Sequence, residues 1–339
     1  MKARWEDLAT RARGLASHLL SRADLDALAS AADLGELASM LRTRGILLPE
    51  GAATADAIEL GVRRTAAARL RLLARWAGGR NPLLAVIFED EDRRSLRAII
   101  RGAVQRAPPD LRLAGLIPTA ALPERALATL AAQPTPRAVA ALLTAWGNAY
   151  GAAVLEQTAG TQPDLLEIEY RLNRVFAERA LHGARLAHSG TLLNYAREAI
   201  DLENACAALV LAGREGEPPA KAAFIEGGRY LSLDAFLESV AAGTAAAAGR
   251  RLATALRPAG LGLAFDRWAD DSAAIEHRLL LYRVAALRAA ERRDPAGPAA
   301  VLGFVLRLRA EALELQRLIW GVALGAPRGA ITGAAMSVG

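Results

Sequence analysis

The stretch Ala199-Ile200-Asp201-Leu202-Glu203-Asn204-Ala205-Cys206-Ala207-Ala208-Leu209 decides how this chain is read. Alanine and leucine dominate it, neither Gly nor Pro interrupts it, and a helix is the expected outcome. Asp201 and Asn204, three residues apart, then share one helix face. If that face points inward, both side chains must be hydrogen-bonded, because an unpaired buried carboxylate costs several kcal/mol. Arg171 and Arg174, on the long helix expected just before, are the natural partners. The pair reads as a polar clasp between two helices rather than as a catalytic site.

The same arrangement occurs twice more. Asp92-Arg93-Arg94-Ser95-Leu96-Arg97 and Glu311-Ala312-Leu313-Glu314-Leu315-Gln316 each place a polar residue, Ser95 or Glu314, three positions after an acid. A glycine (Gly102, Gly213, Gly321) lies ten to twelve residues beyond each acid. The acids are 109 and 110 residues apart, and a third of 339 is 113. Glu59, Glu167 and Glu276 recur at spacings of 108 and 109 near the start of the preceding helix. Leu127 to Gln133 matches Leu237 to Gly243, and Ser21–Leu28, Met40-Leu41 and Gly45 match Pro123–Leu130, Leu142-Leu143 and Gly147. Self-similarity at a fixed period marks a repeat architecture.

Each repeat reads as two short helices and two long ones. The short pairs begin near Ser21, Pro123 and Ser232 and close near Gly45, Gly147 and Gly260. Ser21-Arg22-Ala23-Asp24 and Asp33-Leu34-Gly35-Glu36 resemble capping boxes. The first long helices are expected over 56–76, 164–184 and 272–292, stopped by Gly78-Gly79, Ser189-Gly190 and Pro295 to Pro298. The second are expected over 82–104, 191–211 and 299–324, with Pro108-Pro109 and Pro218-Pro219 closing the first two repeats. No strand emerges, and the fold class is all-α: three similar helical modules of about 110 residues.

Composition agrees. The chain is 53% hydrophobic but 5% aromatic, so its apolar mass is aliphatic, which argues against sandwich, barrel and doubly wound folds. A single cysteine, Cys206, leaves no intramolecular disulfide and points to a reducing compartment. The net charge is +6, and 40 of the 42 basic residues are arginine. Codon preference in a GC-rich genome accounts for most of this bias. Arginines alternate with acids, as in Glu91-Asp92-Arg93-Arg94 and Glu291-Arg292-Arg293-Asp294, which reads as solvated helix face. The charged start Met1 to Asp7 is unlike a signal peptide. The long uncharged stretch 138–155 is read as a glycine-interrupted buried helical segment rather than a membrane span.

Motifs for chemistry fail one by one. There is no phosphate-cradling GxxxxGK[ST], and Lys221 stands in the wrong context for one. Gly260-Leu261-Gly262 lacks the third glycine of a dinucleotide fingerprint. His18, His182, His188 and His277 are scattered, and Glu178 with His182 reads as a surface pair. Cys206 reads as core, and Gly227-Gly228-Arg229 as a turn, with a Gly-Gly anion nest the weaker reading. No catalytic residue, cofactor or metal ligand is assigned.

These landmarks carry a resemblance. Phe224-Ile225-Glu226-Gly227-Gly228-Arg229-Tyr230, the Asp201-x-x-Asn204 helix, and Arg317 to Arg328 resemble the C-subunit family of V/A-type (vacuolar/archaeal-type) ATPases, whose eukaryotic member is the d subunit. Arg11 to Leu15 with Leu19 to Leu25 resembles the family's opening, so the likeness runs over residues 10–331. Ser95 and Gln316 depart from its usual Asn-type residue, and Ala205-Cys206 replaces a common Leu-Arg.

The resemblance implies a funnel of three pseudo-symmetric modules around a central cavity, over about 20–121, 122–230 and 231–331, with an N-terminal helix over 4–19 completing the circle. It implies a non-catalytic central-stalk subunit on the cytoplasmic side of a membrane. The partners it implies are a proteolipid rotor ring and the shaft, coupled to ion transport with the proton as the expected ion. No small-molecule substrate or nucleic acid is expected. The competing reading from charge alone is a helical scaffold for an acidic protein or nucleic acid.

Overall fold

The computed structural model describes residues 5–51, 53–78, 81–160, 163–212, 214, 220–266 and 275–329. Among the described residues every regular element is helical and no strand forms, so the chain is all-α. Helix α1 (Glu6–Ala16) leads into α2 (Arg22–Leu28), α3 (Leu34–Thr43), α4 (Ala55–Ala77) and α5 (Asn81–Val104). Next come α6 (Pro109–Leu113), α7 (Glu124–Ala131), α8 (Pro136–Ala145), α9 (Ala149–Val154), α10 (Leu165–Leu186) and α11 (Gly190–Ala212). The last set is α12 (Leu233–Val240), α13 (Ala245–Ala255), α14 (Gly262–Asp266), α15 (Ile275–Arg293) and α16 (Pro298–Ala323). Two short helices followed by two long ones thus occur three times in this order, with α6, α9 and α14 as brief extra turns.

Local chemistry sets the boundaries. Ser21 and Asp24 form the reciprocal capping box at the start of α2. At α3 the box is only half made: Asp33 accepts the Glu36 N–H, but the Glu36 carboxylate takes the Ala32 N–H at 2.7 Å instead of returning to Asp33. Thr135 and Thr244 cap α8 and α13 through the N–H three residues on. Asp164 is the cap of α10 rather than its first residue. The long helices run within two residues of the expected limits. The expected start of α15 at Ser272 lies outside the described residues, as do Gly79, Gly213 and Pro218-Pro219. Pro109 opens the single turn α6 as well as closing α5.

The stretch 138–155 is interrupted at Gly147, as expected, but is only partly buried, with Ala141 and Trp146 exposed. It is two helices, α8 and α9, separated by a reversal at Gly147, whose φ of +70° an L side chain resists. Gly45 and Gly260, at φ +78° and +76°, end the other two short pairs in the same way.

The helices gather into two compact units, the first drawn from Pro82–Arg112 and Thr129–Tyr282, the second from Arg4–Asn81, Leu113–Ala128 and Arg283–Gly339. In the first, Leu209, Leu211, Phe236, Leu252, Leu256 and Phe265 form a core joining α11 to α14, all at 2% exposure or less. In the second, Leu28, Leu37, Leu41, Ile58, Leu315 and Ile319 are fully buried between α2, α3, α4 and α16. Each such side chain contributes about 1.5–3 kcal/mol, so a six-residue cluster outweighs any single polar contact described below.

Candidate functional site

Asp201 and Asn204 project from the same face of α11, and both are fully buried. Their partners are not the expected arginines. Arg171 pairs with Glu167 and Arg174 with Glu178, each one helical turn apart on the exposed surface of α10. What reaches the buried face is backbone from the segment before α12. Asn204 donates Nδ2–H to the Ile225 carbonyl at 2.8 Å and accepts the Ile225 N–H at 2.9 Å. Asp201 accepts three consecutive amides, from Arg229, Tyr230 and Leu231, at 2.9–3.1 Å. The Gly-Gly-Arg turn is therefore an anion nest whose anion is the protein's own carboxylate. A Cβ on Gly228 would land on Asp201 Oδ1, so the carboxylate approaches only because residue 228 has no side chain. Burial raises the Asp201 pKa, and the three amides oppose that rise.

The third acid follows the same logic with different partners. Glu311 on α16 accepts the Leu20 N–H at 2.7 Å and Arg69 Nη1–H at 2.6 Å. Burial raises its pKa against Arg69 and the amide. Glu314, one turn on, is half-buried and lies 3.8 Å from Arg317. In the first member Asp92 and Ser95 are both buried, but Ser95 Oγ has no hydrogen-bond partner among the described residues. The second landmark series diverges more. Glu59 is buried and accepts the Gly115 N–H at 2.7 Å and the Trp320 Nε1–H at 2.9 Å, with Gln316 Nε2 at 3.3 Å. Glu167 and Glu276 stand on the surface. Matching register therefore does not mean matching environment.

The segment Glu91-Asp92-Arg93-Arg94 is a correction: it is not solvated. Glu91, Asp92 and Arg93 are 8%, 7% and 0% exposed. Arg93 Nη2 donates to Asp90 at 2.7 Å, Nη1 lies 2.7 Å from Glu203 of α11 and also reaches Asn173 of α10, and the guanidinium stacks 4.6 Å over Phe176. Arg97 joins Glu203 at 3.0 Å to Glu169 of α10 at 3.1 Å, and Arg101 caps Glu169 at 2.8 Å. Burial would push Glu203 up, but Arg93 and Arg97 bring it down to about 2. The spacing of 93, 97 and 101, one helical turn per step, was the signal available in the sequence. The counterpart Glu291 to Asp294 is largely solvent-facing, as expected.

The remaining candidates are separate from these clusters. His182 is exposed and Glu178 pairs with Arg174 instead of with it; His277 is buried, and no group of three His, Cys, Asp or Glu among the described residues could hold a metal. Cys206 borders a cavity of about 80 Å³ with Arg97, Tyr170 and Glu203, and burial pushes its thiol up to about 12, which keeps it a poor nucleophile. No helix among the described residues is long and apolar enough to cross a membrane.

What fold and site define is an all-helical chain whose buried carboxylates are satisfied by its own backbone and arginines. The family model described as ATP synthase (C/AC39) subunit matches residues 8–333, and the chain belongs to that family of V/A-type ATPase components. It is thus a V/A-type ATPase subunit. Direct comparison with curated proteins gave no match.

Proposed function

We propose that this chain is the non-catalytic central-stalk subunit of a V/A-type ATPase or ATP synthase, a socket between the central shaft and the membrane proteolipid ring. It lies on the cytoplasmic side as a peripheral protein and passes torque that drives ion transport, with the proton as the expected ion. Its three modules, over about 20–121, 122–230 and 231–331, surround a cavity that receives the shaft tip. The observation that carries this reading is the family match over residues 8–333, nearly the full chain. The recurring order of two short and two long helices supports the modular part.

The dispersed use of arginine supports this reading over a nucleic-acid scaffold. Arg63, Arg69, Arg93, Arg97 and Arg112 are spent on internal carbonyls and carboxylates, and phosphate binding needs clustered free cations. The test is affinity capture of the tagged chain from detergent-solubilised membranes. Recovery of a proteolipid and shaft subunits supports the socket; nucleic acid without them, released steeply by salt, supports the scaffold instead.

A further inference from the structure

The charges on α5 form a ladder that runs Arg94, Asp90, Arg93, Glu203, Arg97, Glu169, Arg101, each member within 3.2 Å of the next. It ties α5 to α11 through Glu203 and to α10 through Glu169. Its exposure rises from 1% at the Arg93 side chain to 17% at Arg97 and 43% at Arg101. Buried ion pairs add little net stability over apolar side chains of the same volume, whereas breaking one leaves a costly charge behind. Such a ladder is better explained by what it forbids than by what it stabilises.

It forbids sliding. Arg97 and Arg101 repeat at one-turn spacing, so their rungs alone would match again after α5 moved by one turn, about 5.4 Å. The change of sign between Glu89 and Arg93, one turn apart, breaks that degeneracy. Moving α5 one turn in one direction carries Arg97 into the place of Arg93, still against Glu203, but carries Arg93 to the place of Glu89, against Arg179 of α10, two like charges. The other direction puts Glu89 where Arg93 stands, against Glu203, again two like charges. Glu89 guards one direction of slip, and Arg93 guards the other.

We propose that Arg93 is a positioning residue that fixes the register of α5, α10 and α11 so that the three helices move as one body under load. This rests on the torque-passing role proposed above. In that role, a helix that yields by one turn absorbs rotation instead of passing it on, and hydrolysis runs ahead of ion transport.

Arg93→Met tests it, because the carboxylates stay partnered. Asp90 keeps Arg94 and the Tyr195 hydroxyl, and Glu203 keeps Arg97 and the Asn173 amide. The variant is placed in complexes lacking the native chain, and three readings are taken: chain recovered in the complex, ATP hydrolysis, and ions moved per ATP. The expected result is normal recovery and hydrolysis with a several-fold lower ion yield per ATP. Arg174→Met, which removes an exposed pair on α10, is expected to match wild type. If Arg93→Met fails to assemble, Arg93→Gln replaces it: the amide can still donate to a carboxylate but brings no charge against Arg179, and the same loss of yield is expected. A wild-type ion yield in whichever of the two assembles overturns the proposal. Failure of both to assemble makes Arg93 a folding residue and overturns it as well. Failure of the wild-type chain itself to restore pumping is a different outcome, and it overturns the torque-passing role along with this inference.

Discussion

Asp201 shows how one side chain organises a distant segment. Asp201→Ala leaves one buried and two part-buried amides with no acceptor and is expected to cost about 3 kcal/mol, against less than about 0.5 for the exposed Glu167→Ala. Urea denaturation of the two purified variants checks the difference. Asp201→Asn is also expected to destabilise, because its amide group would turn N–H toward N–H. Glu203 makes a pH prediction. Its folded pKa, about 2, lies below the ordinary 4.5, so its contribution to stability is present above about pH 4.5 and is lost as the pH falls toward 2. Glu203→Gln should flatten that part of the stability profile in an acid titration followed by circular dichroism. The need to satisfy Asp201 and Asn204 was legible in the sequence. Their partner was not, because helix periodicity gives the face but not the segment, 21 to 30 residues further on, that packs against it. An arginine was the default expectation for a carboxylate; three amides in a glycine turn perform the same neutralisation.

Helix ends were more readable than helix faces. Ser21, Asp33, Thr135 and Thr244 are local signals, acting within three residues, and each caps the helix it precedes. Ser21→Ala removes the side-chain half of the α2 box, leaving only the residue-21 backbone N–H on Asp24, and is expected to cost about 1 kcal/mol. Gly147→Ala, at φ +70°, is expected to cost about the same, through strain at the α8–α9 reversal rather than through lost contact. Thermal melting of the two variants checks both. The break of 138–155 at Gly147 was legible, because a glycine just past a short helix is the local signal for a left-handed stop. The burial of Glu91 to Arg93 was hidden. Alternating charge looks solvated unless the complementary charge from another helix, here Glu203 of α11 against Arg93, is known to face it.

The long-period match of acids, glycines and short-helix starts was legible because it uses order over hundreds of residues, where chance agreement of alanine-rich segments fades. It pointed to the all-α class and the family, and the family match over 8–333 agrees with both. It did not extend to equivalent environments. Glu59 is buried under Trp320 while Glu167 and Glu276 face solvent, so the proposed modules keep a common helical order and have diverged in their polar contacts. A chain whose arginines are dispersed among acids rather than clustered should also show little affinity for nucleic acid at moderate salt, which a filter-binding titration would read directly.

The most direct test of the socket reading is ion transport in membranes from which this chain has been removed. The account predicts that ATP hydrolysis by the head persists while ion transport driven by it stops, and that adding back the purified chain restores transport. Undiminished ATP-driven transport in its absence would contradict the account.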